Sequence, residues 1–141
     1  MARARDRWGR AIQVTKWLRK TFPTPHPVTV RWATKLDNDW EDEDLMTERE
    51  KAGGIYGMCF LKKRRFCIVL SKKRCQTISD TIDTLLHEWA HAVTWRVSKM
   101  EYVRLSCHDD EFFLQWGRIY RRYLEGDIDK QGWVVSGKYK F

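Results

Sequence analysis

Two histidines and a glutamate lie at the spacing H-E-x-x-H near the middle of the chain, at His87, Glu88 and His91. Residues four apart on a helix share one face about one turn apart, so both imidazoles can reach a single metal ion. Zinc binds imidazole nitrogens at about 2.0–2.1 Å, and this spacing is typical of helices that hold a catalytic zinc. Glu88 lies beside the pair, where it can take a proton from water at the metal. The three residues therefore predict a zinc-dependent hydrolase.

A catalytic zinc usually has three protein ligands and one open position, so a third ligand is needed. The histidine that would extend the motif six residues after His91 is replaced by Val97. His108 and Glu111 are the candidates further along the chain, since both side-chain types bind zinc and both lie on one helical face. Spacing alone leaves both open, and it does not exclude Asp109 or Asp110, whose acidic side chains are better explained as compensation of the helix dipole.

Helices must position these residues, and the sequence predicts two. The first covers residues 76–99, with Thr77 at the start of a capping box. Its apolar residues recur with helical period, at Ile78, Ile82, Leu85, Leu86, Trp89, Val93 and Val97. The second covers residues 107–124 and carries His108 in its first turn, facing the first helix.

The remaining segments complete an α+β fold. A small three-stranded sheet, antiparallel or mixed, is expected to pack against the two motif helices. The chain is expected to form a single domain over residues 1–141. Its predicted parts are a basic helix over 4–20, a sheet over 28–71, the helices above and a tail over 126–141, with strands at Val28–Trp32, Ile55–Leu61 and Phe66–Leu70.

In combination these motifs resemble the SprT-like zinc metalloproteases, the group that includes Spartan. The order H-E-x-x-H, a short gap and then His108-x-x-x-Phe112 is similar to the family pattern. The family's third zinc histidine usually opens an H-G-x-x-F motif, and Asp109 replaces that glycine here. The two strands and the H-E-x-x-H helix that precede His108 also follow the family order. The resemblance therefore covers residues 54–125.

The resemblance implies a zincin-like metalloprotease domain without the zinc ribbon that often follows it. Zinc would be held by His87, His91 and His108, with His108 preferred to Glu111, and Glu88 would be the general base. Zincin-type enzymes bind a substrate chain along a sheet edge, for which the strand Phe66–Ser71 is the candidate. Spartan-type enzymes act on proteins attached to DNA, which makes DNA an expected partner beside the protein or peptide substrate.

The distribution of charge also favours a polyanionic partner. The net charge is +8, and acidic residues are concentrated in residues 37–50 while basic residues form clusters. Such segregation is typical of nucleic-acid-binding surfaces. The candidate nucleic-acid-binding residues are Arg3, Arg5, Arg7, Arg10, Lys62, Lys63, Arg64, Arg65, Lys72, Lys73 and Arg74.

Composition excludes several other classes of protein. A hydrophobic content of 43% is typical of a globular chain rather than a disordered one. No apolar run is long enough for a membrane span, and no secretory signal is evident, so a cytoplasmic and monomeric protein is expected, with DNA association left open. None of the four cysteines forms C-x-x-C, so a zinc finger is not expected. The lack of a secretory signal predicts free thiols, although a Cys59–Cys67 disulfide across a hairpin stays open.

Two alternative functions share parts of this pattern. A nucleic-acid-binding module with a purely structural zinc would explain the basic clusters, but such a site has four protein ligands and no use for Glu88. A zinc amidase that acts on a non-protein amide would use the same chemistry as a protease. The motif does not separate these two hydrolases.

Overall fold

The computed structural model describes residues 4–33, 56–95, 109–126 and 128. Its elements confirm the α+β prediction, whereas the zincin-like detail and the single-domain organisation stay predictions. In chain order they are helix α1 (Ala4–Thr21), strands β1 (Val28–Trp32), β2 (Gly57–Lys62) and β3 (Arg65–Leu70), helix α2 (Ile78–Val93) and helix α3 (Asp110–Leu124).

The three strands form one mixed sheet in the order β1-β3-β2. β1 runs parallel to β3, with Val28 opposite Phe66, and β2 runs antiparallel to β3, with Gly57 opposite Leu70. The central strand is therefore β3, and β1 and β2 lie at the edges of the sheet that the described residues form.

One face of the sheet packs against the helices. Side chains alternate between the two faces of a strand, so every second residue of β3 points to the same side. The three that point to the helices, Phe66, Ile68 and Leu70, are completely buried. The helices complete this core with Ala11, Val14, Trp17, Leu18, Ile82, Leu85, Leu86, Trp89, Phe112 and Ile119.

Helix α2 has the predicted Thr77 cap, but it begins two residues after the predicted start and ends earlier. The hydroxyl of Thr77 accepts a hydrogen bond from the Asp80 amide at 3.0 Å, which is the expected N-cap contact. The helix ends at Val93, with Thr94 as its C-cap, so the predicted extension to residue 99 is wrong over residues 94 and 95. The indole N–H of Trp89 donates to the Phe22 carbonyl at 2.9 Å and ties α2 to the end of α1.

Helix α3 begins three residues later than predicted. Asp109 is its N-cap, with an extended backbone and a carboxylate that accepts a hydrogen bond from the Phe112 amide at 2.9 Å. A cap residue lies outside the helix proper, so the predicted helix is wrong at Asp109. His108 itself lies outside the described residues.

The cysteines agree with the expectation of free thiols. Cys59, Cys67 and Cys75 are unpaired by disulfide bonds, and Cys107 lies outside the described residues. The register places Cys59 opposite Ile68, so Cys59 and Cys67 point to opposite faces of the hairpin. Within the described ranges, none of the helices is long and apolar enough to cross a membrane.

Candidate metal centre

The two motif histidines lie together on α2. The ring centroids of His87 and His91 are 5.0 Å apart, and the ring planes are inclined by 73°. Two imidazoles that bind one tetrahedral zinc at about 2.0–2.1 Å have ring centroids about 5 Å apart. The spacing of this pair therefore fits a shared zinc ion, and both rings are half-buried, which leaves access from one side.

Aromatic side chains of α3 form a wall against the histidine pair. Phe112 stacks on His91 with centroids 4.3 Å apart and planes inclined by 26°, and it meets His87 edge-on at 5.1 Å. Trp116, one turn further on, lies 5.0 Å from His87. These contacts hold both imidazoles in place and bring the first turn of α3 to the candidate zinc site.

The same helix pair carries a third contact one turn further along. The Tyr120 hydroxyl donates a hydrogen bond to the Asp83 carboxylate. Burial raises the pKa of Asp83, and this hydrogen bond partly opposes that effect. Asp83 lies four residues before His87, so α2 and α3 run antiparallel with paired contacts at successive turns.

Glu88 follows His87 on α2, and its buried side chain lies against β2 at Gly57. Its exposure is 7%, and burial raises its pKa to about 8 from the ordinary value of 4.5. Ionisable carboxyls are seldom buried unless they have a partner or a function. A carboxyl with a pKa near neutrality can hold and release a proton at physiological pH, as a general base must.

The described residues supply two of the three expected zinc ligands. No group of three His, Cys, Asp or Glu side chains that could hold a metal ion occurs among residues 4–33, 56–95 and 109–126. Glu111 belongs to this part of the chain, so the structure does not bring it together with His87 and His91. His108 lies outside the described residues, so its role as the third ligand stays a prediction.

The strand predicted to bind a substrate chain, Phe66–Ser71, is not at an edge of the sheet. β3, which contains most of Phe66–Ser71, is hydrogen-bonded to β1 on one side and to β2 on the other, so the prediction that it binds substrate is wrong. Within the described residues β2 has one neighbouring strand. β2 also lies next to Glu88, since the Cγ of Glu88 is 3.4 Å from the position a Cβ would take at Gly57.

The candidate nucleic-acid-binding residues between Lys62 and Arg74 form two groups on the structure. Lys62–Arg65 form the exposed tip of the β2–β3 hairpin, and Lys72 and Lys73 are exposed beyond the other end of β3, next to half-buried Arg74. A six-residue strand at about 3.3 Å per residue puts these groups roughly 20 Å apart. They lie towards opposite ends of α2, because Trp95 contacts Phe66 while Thr84 contacts Gly57.

Arg7 does not belong to an exposed basic surface, contrary to the prediction. Its side chain is 8% exposed and donates to the carbonyls of Lys72, at 3.2 Å, and Cys75. Its guanidinium also lies 5.5 Å from the ring of Trp32. Arg7 thus attaches α1 to the segment before α2.

Arg10 is also partly engaged within the fold. Its guanidinium donates to the Tyr123 hydroxyl at 3.2 and 3.3 Å and lies 5.4 Å from that ring. This contact joins α1 to α3. Arg3 and the side chain of Arg5 lie outside the described residues.

Sequence reasoning missed the parts of the site that depend on packing. Phe112 was recognised only as part of the His108-x-x-x-Phe112 motif and Trp116 only as part of a predicted helix, and nothing in the sequence indicated that they touch the histidines. Gly57 was recognised only as part of a strand, although its lack of a side chain is what admits β2 to the helix. The single available signal was a glycine inside a strand pattern, which often marks a close approach.

Comparison with known proteins places the chain in a family. The model of the SprT-like family matches residues 14–128, which is most of the chain and includes the H-E-x-x-H helix, the hairpin before it and α3 after it. Neither the search of curated proteins nor the search of solved structures found a match. The matched range contains the imidazole pair, the buried Glu88 and the aromatic wall described above. The chain belongs to the SprT-like family.

Proposed function

We propose that this protein is a zinc-dependent endopeptidase. The observation that carries the proposal is the buried carboxyl of Glu88, on the same helix as two imidazoles whose ring centroids are 5.0 Å apart, a separation that fits one zinc ion. A structural zinc site has no need for such a carboxyl, so this arrangement favours hydrolysis over a binding module. Membership of the SprT-like family supports a metalloprotease-type domain.

His87, His91 and His108 would hold the zinc ion. When bound there, zinc supplies Lewis-acid polarisation of the substrate carbonyl and lowers the pKa of water at the site. Phe112 and Trp116 restrict the movement of the two α2 imidazoles and exclude water from one side of the site. Rigid, desolvated surroundings strengthen electrostatic interactions at a reacting centre.

Glu88 would move the protons of the reaction. Its carboxylate takes a proton from the attacking water and returns it to the amine that leaves when the peptide bond breaks. The pKa of about 8 in the absence of metal shows how strongly burial opposes ionisation. A nearby dication favours the ionised form, which brings the carboxyl towards the protonation state that a base requires.

A substrate chain would lie along the outer edge of β2. This strand carries Gly57 at its start, next to Glu88, and among the described residues β3 is its one strand neighbour, so an added chain would pair with its other side. Main-chain hydrogen bonds would then place a peptide carbonyl near the metal with little dependence on sequence. An endopeptidase of this type would act on extended or unfolded segments.

DNA is the proposed partner that brings substrates to the enzyme. The hairpin tip Lys62–Arg65 is exposed, and its turn residues Lys63 and Arg64 adopt positive φ angles of 50° and 61°. Left-handed backbone is unfavourable for such residues, and this two-residue turn usually contains Asn-Gly. The sequence therefore keeps two cations at the tip at a cost in local stability, which supports a role in binding a polyanion.

Glu88→Gln provides the direct test of the proposed chemistry. The zinc-loaded variant should retain its metal and its fold while kcat on an unfolded protein substrate decreases by about 10²–10⁴-fold. Glu125→Gln, an exposed carboxyl at the end of α3, is the matched control and should cleave as the parent does. Full activity of Glu88→Gln would refute the assigned role, and a loss of zinc would show that Glu88 is a ligand.

The role of DNA is tested with the same substrate. Cleavage should accelerate when the substrate and the enzyme share a DNA molecule, and the effect should decrease steeply as salt increases. Reversal of charge at Lys63 and Arg64 should remove this acceleration and leave DNA-independent cleavage unchanged. Equal rates with and without DNA would support a general protease instead.

A further inference from the structure

β2 approaches α2 closely at Gly57. A Cβ at this position would lie 2.5 Å from the Thr84 methyl carbon and 3.4 Å from the Cγ of Glu88. Carbon atoms pack best at about 3.5–4.0 Å, so alanine at this position requires the strand and helix to separate by about 1 Å. Gly57 does not have a positive φ, so space rather than backbone conformation requires glycine here.

Neither side of this contact can move freely. The Thr84 hydroxyl donates to the Asp80 carbonyl at 2.8 Å and lies 3.7 Å from the Cys75 sulfur. A β-branched side chain in a helix has few rotamers, so the methyl group cannot turn away without loss of these contacts. On the strand side, Gly57 is paired with Leu70 in the sheet.

We propose that Gly57 is a positioning residue for Glu88, because it sets the separation between β2 and α2 at the level of the carboxyl. Thr84 and Glu88 lie one turn apart on the helix face that meets the strand. A change of about 1 Å in this separation would move the general base relative to the edge that carries the substrate. This inference rests on the proposed function, and it names a residue that sets the geometry of that site.

Cys59 provides a reporter of the separation that does not depend on catalysis. It lies two residues after Gly57 and therefore points to the same face of β2. Cys59 is half-buried and packs against the core on the side of the sheet that faces α2. Burial also raises the pKa of its thiol, and the charge of Glu88 adds to this effect. A wider gap between strand and helix would expose it to alkylating reagents.

Three zinc-loaded variants test the inference. Gly57→Ala introduces the methyl group, and Gly57→Ala with Thr84→Ser removes the opposing methyl while it retains the hydroxyl. Gly9→Ala is the matched control, since Gly9 is exposed on α1 and a Cβ there would have no atom within 4 Å. For each, we would measure zinc content, kcat and KM on an unfolded protein substrate, and the alkylation rate of Cys59 by mass spectrometry.

Gly57→Ala should lower kcat by about 10²-fold, the effect expected of a misplacement of about 1 Å, with zinc content and KM within about twofold of the parent. Cys59 should be alkylated several-fold faster. The double variant should restore both properties towards the parent values, and Gly9→Ala should change neither. A purely structural role would not give a change in kcat that Thr84→Ser reverses.

Other outcomes overturn the inference. An unchanged kcat and an unchanged Cys59 rate in Gly57→Ala would do so, as would a double variant that recovers neither. If Gly57→Ala fails to fold, a double variant that folds and cleaves supports the inference, and one that also fails overturns it. If the parent cleaves nothing, the proposed function is refuted, and the Cys59 rates alone decide whether Gly57 sets the separation.

Discussion

Glu88→Gln is expected to change how the stability of the metal-free protein depends on pH. Burial raises the pKa of Glu88 to about 8 from an ordinary value of 4.5, so the folded protein holds a proton that the unfolded chain releases. The contribution of this residue to the free energy of unfolding is therefore complete below pH 4.5. It decreases as the pH rises towards 8, and above pH 8 it changes no further.

The magnitude follows from the size of the pKa shift. One pKa unit corresponds to about 1.36 kcal/mol, so the parent should lose about 3 kcal/mol from this residue between pH 4.5 and pH 7, with an upper limit of about 5 kcal/mol over the whole window. Glutamine has nearly the same shape and no proton to lose. The variant should therefore become more stable than the parent, by a margin that grows with pH.

Urea unfolding of chelator-treated protein at several pH values between 4.5 and 8 measures this margin. Glu125→Gln serves as the control for removal of one exposed carboxylate. A margin between Glu88→Gln and the parent that varies by less than about 0.5 kcal/mol over this range would refute the reasoning, because Glu88 would then not be held neutral by burial. Added zinc should reduce the pH dependence, since its charge favours the ionised carboxylate.

Three further predictions concern packing and charge. Arg7→Ala should lower the free energy of unfolding, measured with urea at neutral pH, by about 1–3 kcal/mol, because two carbonyls lose their donor. In the same assay Arg121→Ala should change it by less than about 0.5 kcal/mol, because its ion pair with Glu125 is exposed. Phe112→Ala should lower the free energy of unfolding by about 3–5 kcal/mol and weaken zinc binding measured by metal titration. Phe113→Ala, at a side chain that is 52% exposed, should lower it by less than about 1 kcal/mol and leave zinc affinity unchanged. Replacement of Lys63-Arg64 by Asn-Gly should stabilise the protein by about 1 kcal/mol in thermal unfolding, because both positions have positive φ. The slope of DNA affinity against salt concentration should also decrease, by the amount expected for the loss of about two phosphate contacts.

The parts of the site that depend on local interactions were predictable. The spacing of His87 and His91 on a helical face follows from the 3.6-residue period, and the Thr77 cap involves groups only three residues apart. At the start of α3 the sequence indicated the helix but placed its first residue too early. The helix begins at Asp110, after Asp109, whose carboxylate accepts a hydrogen bond from the Phe112 amide.

The sequence by itself determined the identity of the candidate chemistry, because two candidate zinc ligands and the candidate base lie within five consecutive residues of one helix. Only the tertiary structure decided that β3 is central, that Arg7 is buried and that Gly57 brings a strand against Glu88. These properties arise from contacts between residues far apart in the chain, and no local pattern specifies which strands become neighbours. The pKa of Glu88 depends on them as well, since desolvation comes from every element that packs around the carboxyl.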